Sequence, residues 1–582
     1  MLVYGDLERA EDCADVASDV ACRLERIAHL ELGIDRHAAL VAAYIRLGEL
    51  VQGIADAEFE KAGADEHTSL QQTGGELLLL LAHALKSSWE SGFRRQTLPP
   101  WQDQLRVLAP PGQIRTKQAE GFAFYALYPE SYLLAAAQSG LPHSTVVIGI
   151  RSIGTSLAAM MAAGLNAGPA LTVRPSGHPF DRQLSIAPNL EERILRDRNA
   201  PFAIVDEGPG YSGSSFNCVA DWLVERGIGE HQIHFFPSHG GELGGAAQEA
   251  HLRRWANANR HFVGFDEIFL NDGLLSSWVS AAVGDLTEPM EDLSGGAWRR
   301  FQDRPSTIPV DTALEKRKFL ARTTGGDYLV KFSGLGAFGE RKLALGQQMG
   351  QKGLTSRPVA LCHGFLVEPW VAGDELQLPL KPDQVQQVGR YLAVRARQMA
   401  PHAGASLPTL FRMAAYNAGQ CFGGGAEERV RNALGDPARF HPRPCCTDNR
   451  LHRWEWVVTE DNSLLKTDAL DHNAAHDLIG SQDITWDIAG ARVELALTHG
   501  HLAQLVEIVR ESATVDLALL QAMEICYLAF QVGLWTQAAG RCGAAEQAGT
   551  AALIQSYSRR LESCVAGQHD TAEGSAGAAA AF

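Results

Sequence analysis

The chain has 582 residues, of which 46% are hydrophobic and 20% are charged, as in ordinary folded proteins. This length allows about four domains, and the composition argues against a disordered chain or a bilayer protein. The formal net charge of −17 repels a phosphate backbone, and the sequence has no block of Lys and Arg, so we expect no nucleic-acid partner.

The sequence gives no sign of a membrane-spanning or secretory segment. The longest apolar stretch, residues 77–85, is far shorter than the roughly 20 residues that a spanning helix needs. Acidic residues rather than a basic region follow the first methionine, which argues against a secretory signal. The ten cysteines include no C-x-x-C pair, so we expect buried, reduced thiols. We therefore expect a cytoplasmic protein without a membrane partner.

Hydrophobic patterns divide the chain into four predicted segments. Apolar residues repeat at helical spacing over residues 1–100, which predicts a helical N-terminal region. Over residues 101–290, short apolar runs alternate with helical patterns, which predicts an α/β domain with a parallel sheet. Strand candidates followed by helical patterns predict an α+β domain over residues 296–566. The small-residue-rich tail, residues 567–582, is predicted to be disordered.

The strongest motif is the segment 202–216, which reads FAIVDEGPGYSGSSF. An apolar strand delivers Asp206 and Glu207 at its carboxyl end, and a glycine-rich loop then opens a helix. Backbone N–H groups of such a loop can hold a phosphate, whereas the two carboxylates can accept hydrogen bonds from a sugar diol or position Mg²⁺. An ordinary strand, turn and helix without a ligand has the same pattern. The residues that we predict to bind a ribose 5-phosphate are Gly210, Ser212, Gly213, Ser214 and Ser215.

This segment resembles the signature of the type I phosphoribosyltransferases. Upstream, VVIGIRSIGTSLA resembles the pyrophosphate loop of that family, and residues 174–182 fall where the family carries a mobile loop. The spacing from Asp206 to Gly213 is one residue longer than in the usual family motif, and Ser212 stands where Thr is common. The resemblance implies substrate-binding roles for Ser152, Gly154, Thr155, Arg174, His178 and Arg182.

The same resemblance implies Mg²⁺-dependent transfer of a 5-phosphoribosyl group from 5-phosphoribosyl diphosphate to a small acceptor. Asp206, Glu207 and Arg151 would be the catalytic residues, with Asp206 also a metal ligand. Two alternatives stay open: the reverse reaction, which cleaves a nucleotide-like glycosidic bond, and a non-catalytic ligand sensor. The aromatic segment 121–132 is either a hood for the acceptor or part of the core, and the pattern of Phe122, Phe124 and Tyr128 favours the core.

A second set of motifs lies in the segment 296–566. Lys331 stands on a strand candidate and Glu340 opens the next helix, so the lysine can reach nucleotide phosphates and the glutamate can hold it. The segment 365–373, which contains Glu368, resembles the hinge of aminoglycoside-phosphotransferase-like kinases. A predicted hairpin that ends at Asp468 resembles the part of that family that carries the metal-binding aspartate, and the helix after it carries Asp487.

This kinase resemblance is incomplete around residues 445–456, because the usual histidine, aspartate and asparagine pattern is absent. Asp448 and Glu455 stand at approximately the positions of the catalytic aspartate and the metal-binding asparagine. The resemblance implies ATP as a co-substrate, Asp448 and Asp468 as catalytic residues, and Glu455 and Asp468 as Mg²⁺ ligands. His472 and His476 also suggest a zinc site, but His pairs four residues apart are common by chance.

Together these patterns predict a bifunctional cytoplasmic enzyme of specialised metabolism. It combines an N-terminal helical region, a phosphoribosyltransferase-type α/β domain and a C-terminal α+β kinase-like domain. We expect glycosyltransferase activity toward a small-molecule acceptor, coupled to phosphorylation by the second domain. The acceptor, the direction of the reaction and the oligomeric state stay open, with a homodimer among the options.

Overall fold

The computed structural model describes residues 1–5, 8–210, 212–301, 308–312, 314–398, 401 and 403–566. The tail that the sequence predicts to be disordered, residues 567–582, lies outside the described residues. Two of the hydrophobic cores are large. One joins the N-terminal helices to one face of the parallel sheet and to the antiparallel sheet, and the other lies among the C-terminal helices.

The N-terminal region is helical, as predicted. The helix Cys13–Ile27 turns Val16, Val20 and Leu24 toward the core, and Asp12 caps it by accepting a hydrogen bond from the N–H of Ala14. A short strand that the sequence pattern does not predict, Glu8–Asp12, pairs antiparallel with Gln113–Lys117. The helices that precede the parallel sheet are Cys13–Ile27, Ile34–Ala62, Ser69–Glu90, Gln102–Val107, Glu120–Phe124 and Pro129–Ser139.

A five-stranded parallel sheet follows, and it confirms the predicted α/β arrangement. In the order of the chain the strands are Val146–Ile150, Leu171–Val173, Phe202–Val205, Ile233–Phe236 and Asn259–Arg260. Across the sheet their order is 2-1-3-4-5. The second strand is therefore added on one side of the first strand and the third strand on the other side, so the strand order reverses between the first and third strands. The helices of this region are Gly154–Leu165, Pro188–Ile194, Ser214–Glu225, Glu249–Asn257, Asp266–Leu270 and Leu274–Val283.

The first and third strands approach each other closely where the glycines stand. Gly149 is paired with Val205, and a Cβ atom on Gly149 would come within 2.3 Å of the carbonyl oxygen of Gly154. A Cβ atom on Gly154 would in turn lie 2.7 Å from the carbonyl oxygen of Val205. Glycine is therefore required at both positions for the turn after the first strand to pack against the third strand.

The second half of the chain begins with a five-stranded antiparallel sheet that carries one helix, Gly336–Gln351. The order of its strands across the sheet is Glu291–Asp292, Lys318–Thr323, Gly326–Phe332, Phe365–Pro369 and Ala360–Cys362. Short strands follow in two small sheets: Asp374–Glu375, Trp456–Val458 and Leu464–Lys466 in one, and Pro444–Cys445 and Gln482–Asp483 in the other. The helices of this part are Pro382–Gln398, Leu407–Phe422, Ala426–Leu434, Thr485–Glu494, His499–Arg510, Leu517–Ala539 and Ala544–Val565.

Two helices of the described chain are long and apolar enough to cross a membrane, Ile34–Ala62 and Leu517–Ala539. Most residues of both are buried against the rest of the protein, 72% and 83% of the most apolar stretch respectively. Such burial is typical of core helices. The cytoplasmic location remains a prediction.

Candidate functional site

The two predicted ribose-phosphate turns lie at the same edge of the parallel sheet. Strands Val146–Ile150 and Phe202–Val205 are direct parallel neighbours, so the turns that begin at Arg151 and Asp206 both leave their carboxyl ends. This is the point where the strand order reverses, and ligands of open α/β sheets bind in the crevice outside such a point. The backbone placement that the sequence predicts is therefore observed.

The two arginines predicted to contact the diphosphate, Arg151 and Arg174, form ion pairs with carboxylates of the protein. The side chain of Arg151 is fully buried; its Nε lies 2.8 Å from Asp56 and its Nη2 donates to Asp65. Arg174 also pairs with Asp56 and donates from Nη1 to the carbonyl oxygen of Arg151, at 2.8 Å. In this arrangement Arg151 has no exposed side-chain surface and is paired with two carboxylates, so its role in neutralising a leaving group remains a prediction that requires these pairs to open.

A hairpin, Ser176–His178 with Asp181–Gln183, lies against the predicted phosphate loop. The hydroxyls of Ser212 and Ser214 both donate to the carbonyl oxygen of Pro179 in this hairpin, at 3.2 and 2.6 Å. Gly210 and Gly213 have positive φ angles of 65° and 64°, and Gly213 caps the helix that begins at Ser214. The two serine hydroxyls of the predicted phosphate loop are therefore bound to the hairpin, and the binding of a phosphate by this loop remains a prediction.

The other predicted residues of this edge fall in three places. His178 is exposed on the hairpin, and Arg182 donates to the carbonyl oxygen of Pro175 at 3.1 Å. Ser152 lies in the turn after the first strand, and Thr155 lies in the first turn of the helix Gly154–Leu165, where its buried hydroxyl has no hydrogen-bond partner. Ser215, in the first turn of its helix, is half-buried.

Asp206 and Glu207 are partly buried beside each other. The carboxylate of Asp206 accepts the N–H of Glu207 at 2.8 Å, and that of Glu207 accepts the N–H of Gly121 at 3.1 Å. Burial raises the pKa of Asp206 to about 7. Burial, with Glu120 and Asp206 nearby, raises the pKa of Glu207 to about 8. Both carboxyls thus titrate near neutral pH, and such perturbed pKa values are common among residues of functional sites.

A large cavity lies beneath the antiparallel sheet and has a volume of about 500 Å³. This volume is within the range of small-molecule sites. Its walls combine residues from the sheet, from the linker 369–375 and from the segment 450–477. The charged residues of the wall include Lys316, Lys331, Glu368, Glu455, Lys466, Asp468, Asp471 and His472. We call this cavity the cleft.

Lys331 is the centre of the charged wall. Its Nζ lies 2.5 Å from Asp468 Oδ1 and 2.6 Å from Asp471 Oδ2. Burial favours its neutral amine, but the negative charges of Asp468, Asp471 and Glu368 outweigh burial and raise the pKa of Lys331. Lys316, at 3.2 Å, and Lys342 also bind Asp471. The lysine is therefore charged and held by carboxylates at the position predicted for nucleotide binding.

Glu340 does not hold Lys331, so the predicted pair is wrong. Glu340 is exposed and forms an ion pair with Arg23 of the first N-terminal helix, in which Arg23 Nη1 lies 3.2 Å from Glu340 Oε2. Lys342, two residues further along the same helix, is buried and shares Asp471 of the cleft wall with Lys331. The helix Gly336–Gln351 thus turns its glutamate toward the N-terminal region.

Glu455, Asp468 and His472 form a cluster whose ligand atoms all lie within 4.8 Å of one another. His472 Nε2 lies 3.3 Å from Asp468 and 3.5 Å from Glu455. Burial would raise the pKa of Glu455, but Lys466 and His472 outweigh it and lower this pKa. The two predicted metal ligands are therefore brought together, with an imidazole beside them, and two carboxylates suit Mg²⁺ or Mn²⁺. His476, the other half of the suggested zinc pair, instead contacts Tyr125.

Asp448 is not at the surface of the cleft. It is 1% exposed, it accepts a hydrogen bond from the hydroxyl of Tyr391, and its Oδ2 lies 3.6 Å from Lys466 Nζ. Asp487 accepts the backbone N–H groups of Asp448 and Asn449 at 2.7 and 2.9 Å. This arrangement fixes the loop and leaves Asp448 enclosed, so the structure does not place the predicted catalytic carboxylate within reach of a bound substrate.

Glu368, near the end of the strand Phe365–Pro369, and one aromatic segment complete the wall. Burial, with Asp471 and Asp468 nearby, raises the pKa of Glu368 to about 7, against the opposing charge of Lys331. Phe122, Phe124 and Tyr128 are buried, as the core interpretation predicts. However, Phe124 and its neighbour Tyr125 also line the cleft, and the Tyr125 hydroxyl lies 2.6 Å from His476 Nδ1.

The sequence motifs miss several residues that shape both sites. At the sheet edge these are Asp56 and Asp65, and around the cleft they are Lys316, Lys342 and Lys466. Lys342 and Lys466 each lie two residues from a motif residue, Glu340 and Asp468 respectively, so their closeness to the motifs is a signal that could have found them. The other three come from segments outside the motifs, so no local pattern could reveal them.

No protein-family model matches the chain, and no curated protein matches it. Among solved structures, a choline kinase from Streptococcus pneumoniae is 14% identical, with a TM-score of 0.33, over 50% of this chain and 99% of that one. A spectinomycin phosphotransferase in complex with ADP and spectinomycin is 12% identical, with a TM-score of 0.35, over 50% and 92%. A choline/ethanolamine kinase family protein from Mesorhizobium loti is 12% identical, with a TM-score of 0.33, over 50% and 97%. Matches with TM-scores this low carry no argument about function, so the function of this chain has to be inferred from its own contacts.

Proposed function

We propose that the cleft binds ATP with a divalent cation and transfers its terminal phosphoryl group to a small molecule. The observation that carries this proposal is Lys331, a charged lysine on a central strand of the antiparallel sheet that contacts Asp468 and Asp471 in a cavity of about 500 Å³. Phosphoryl transfer needs little covalent chemistry from the protein, because positioning and charge neutralisation supply most of the catalysis.

Each part of ATP has suitable partners in the cleft. Lys331 would contact the phosphates, and Asp468 with Glu455 would hold a divalent cation through carboxylate oxygens. Such a cation, when bound, would neutralise charge on the transferring group. Leu329 and Leu366 provide an apolar wall beside Glu368, at the end of the strand that leads into the linker, and such a wall suits an adenine ring. Asp448 is left out of this proposal because its carboxylate is enclosed.

The test is ATP turnover by the full chain with Mg²⁺ or Mn²⁺, measured as release of phosphate from ATP labelled in its terminal phosphate. We expect slow hydrolysis by the wild type and a loss of roughly 100-fold or more for Asp468→Asn, because the cation loses a charged ligand. Asp461→Asn is the matched control, since Asp461 is an exposed aspartate in the turn of the same hairpin. Equal turnover by the wild type and Asp468→Asn would refute the proposal.

A second candidate function, phosphoribosyl transfer, is favoured by a separate observation. Two glycine-containing turns leave neighbouring parallel strands at the reversal of strand order, and Asp206 and Glu207 have raised pKa values there. We propose that this edge binds 5-phosphoribosyl diphosphate with Mg²⁺ after the hairpin at Pro179 moves off Ser212 and Ser214. The chemistry would then depend on orienting an acceptor and excluding water.

Calorimetric titration with 5-phosphoribosyl diphosphate and Mg²⁺ tests this second candidate. At pH 9, where Glu207 with its pKa of about 8 is ionised, we expect binding by the wild type and at least roughly tenfold weaker binding by Glu207→Gln, because the diol would lose a charged acceptor. Glu225→Gln, an exposed change at the end of the next helix, is the control. The absence of heat from the wild type would remove this candidate and leave the ATP proposal untouched.

The segment 120–125 supports a coupling between the two candidate sites. Gly121 donates its N–H to Glu207 at the sheet edge, while Glu120 lies 3.0 Å from His476. Tyr125, from the same segment, lines the cleft. One short helix therefore contacts both sites, so a ligand that moves Glu207 would also move the wall of the cleft.

A further inference from the structure

Three titratable side chains from distant parts of the chain meet in the core, away from both candidate sites. His37 lies near the start of the helix Ile34–Ala62, Glu130 lies at the start of the helix Pro129–Ser139, and His363 lies in the tight turn before the strand Phe365–Pro369. They are 0%, 1% and 2% exposed. Neither candidate function uses them.

The two imidazoles converge on one carboxylate. His37 Nε2 lies 2.8 Å and His363 Nε2 lies 3.0 Å from the same oxygen, Glu130 Oε1. All three ligand atoms lie within 4.8 Å of one another. Donors that share one zinc ion at about 2.0–2.2 Å are about 3.0–3.6 Å apart, so only small shifts separate the present contacts from a coordination shell.

Two polar atoms in this cluster have no partner. Glu130 Oε2 and His363 Nδ1 are both buried without a hydrogen bond. The surrounding side chains are aromatic: ring centres of Trp89 and Phe93 lie 5.9 and 5.0 Å from His37, and that of Trp278 lies 5.6 Å from His363. A carboxylate in such an environment needs a compensating positive charge, and its second oxygen needs a partner.

We propose that His37, Glu130 and His363 form a structural zinc site, in which the two Nε2 atoms and the carboxylate of Glu130 bind the ion. Two imidazoles and a carboxylate are a ligand set that Zn²⁺ takes in proteins, and the burial of all three side chains fits a structural role. The hydroxyl of Ser88 lies 2.9 Å from His37 Nδ1 and orients this ring, as partners of metal-bound histidines do. The ion would join the N-terminal helices, the parallel-sheet region and the antiparallel sheet.

The first test measures the zinc content of the purified full chain by mass spectrometry after dialysis against metal-free buffer. We expect about one zinc ion per chain in the wild type and a fall of about tenfold or more for His363→Gln, which removes a donor. His472→Gln is the matched control, because it alters the other ligand cluster, beside Glu455 and Asp468. Zinc that is lost from His472→Gln and kept by His363→Gln would overturn the proposal.

The second test uses wild-type protein, so it does not depend on the folding of a variant. Zinc is removed with a chelator and replaced with Co²⁺, whose visible absorption reports its coordination. We expect the intense bands of a four-coordinate cobalt ion, unchanged in His472→Gln and displaced by one equivalent of Zn²⁺. If the wild type takes up neither metal, the cluster is a hydrogen-bonded triad with a shared proton, and the proposal fails.

Discussion

The edge of the parallel sheet and the cleft differ in how their charges are arranged. At the sheet edge, Arg151 and Arg174 are bound to Asp56, and the hydroxyls of Ser212 and Ser214 are bound to the hairpin. In the cleft, the cations and carboxylates instead surround a cavity of about 500 Å³. The sheet edge has the more regular sequence motif, but the cleft offers more charged groups to a ligand.

A motif can thus position a backbone without leaving its side chains available to a ligand. Glycines and a strand order of 2-1-3-4-5 bring the two turns together. Whether an arginine there can bind an anion is decided by carboxylates elsewhere in the chain. At the sheet edge such carboxylates are present, whereas in the cleft the carboxylates lie beside Lys331 and face the cavity.

The largest expected effect tests whether the sheet edge is fixed by its own ion pairs. Asp56→Asn removes a charge that serves both Arg151 and Arg174. We expect it to lower the free energy of unfolding by about 3–5 kcal/mol, because it leaves buried guanidinium charge uncompensated. Thermal unfolding of the full chain measures this change.

The control for this prediction is Asp197→Asn, an exposed aspartate in a loop of the same region. We expect the control to unfold like the wild type. Wild-type stability for Asp56→Asn would contradict the account, because it would mean that the arginines at this edge are free to bind an anion.

A smaller effect concerns the pH dependence of Asp206. Its pKa is raised from 3.8 to about 7 by burial, so between these values the folded protein binds a proton that the unfolded chain has lost. Its contribution to stability is therefore greatest at low pH and falls as the pH rises through this window. We compare the free energy of unfolding of Asp206→Asn with that of the wild type. We expect this difference to shift by about 1–3 kcal/mol in favour of Asp206→Asn when the pH is raised from 5 to 8.

Urea unfolding of both proteins at pH 5 and pH 8 measures this difference. Asp181→Asn, an exposed aspartate of the nearby hairpin, supplies the matched comparison and should behave alike at the two pH values. If the difference in unfolding free energy between Asp206→Asn and the wild type is the same at pH 5 and pH 8, then the pKa of Asp206 is not raised, and this carboxyl does not titrate near neutral pH.

The smallest expected effect concerns Glu340. Because it pairs with Arg23 on the surface and not with Lys331, we expect Glu340→Ala to cost at most about 1 kcal/mol. The Michaelis constant for ATP should stay within about twofold of the wild-type value, since the charge on Lys331 is set by Asp468 and Asp471. Steady-state kinetics measure this Michaelis constant. A clear rise of it in Glu340→Ala would mean that Glu340 does hold Lys331, as the sequence predicts.

The sequence predicted the backbone of both sites better than their side-chain contacts. Strand periodicity and glycine turns are local signals, so the parallel sheet, its two turns and the hairpin before Asp468 could be read from the chain. The partner of Glu340 lies more than 300 residues away, and that of Arg151 lies in an N-terminal helix. Contacts of this kind depend on tertiary packing, which no spacing pattern encodes.

Calorimetric titration of the full chain with ATP and Mg²⁺ or Mn²⁺ shows whether the cleft binds ATP. We expect one site per chain in the wild type and at least roughly tenfold weaker binding by Lys331→Met, because this change removes the charge that would contact the phosphates. Lys381→Met, an exposed change outside the cleft, should bind like the wild type. If the wild type does not bind ATP, or if Lys331→Met binds it equally well, the cleft is not the ATP site that we propose.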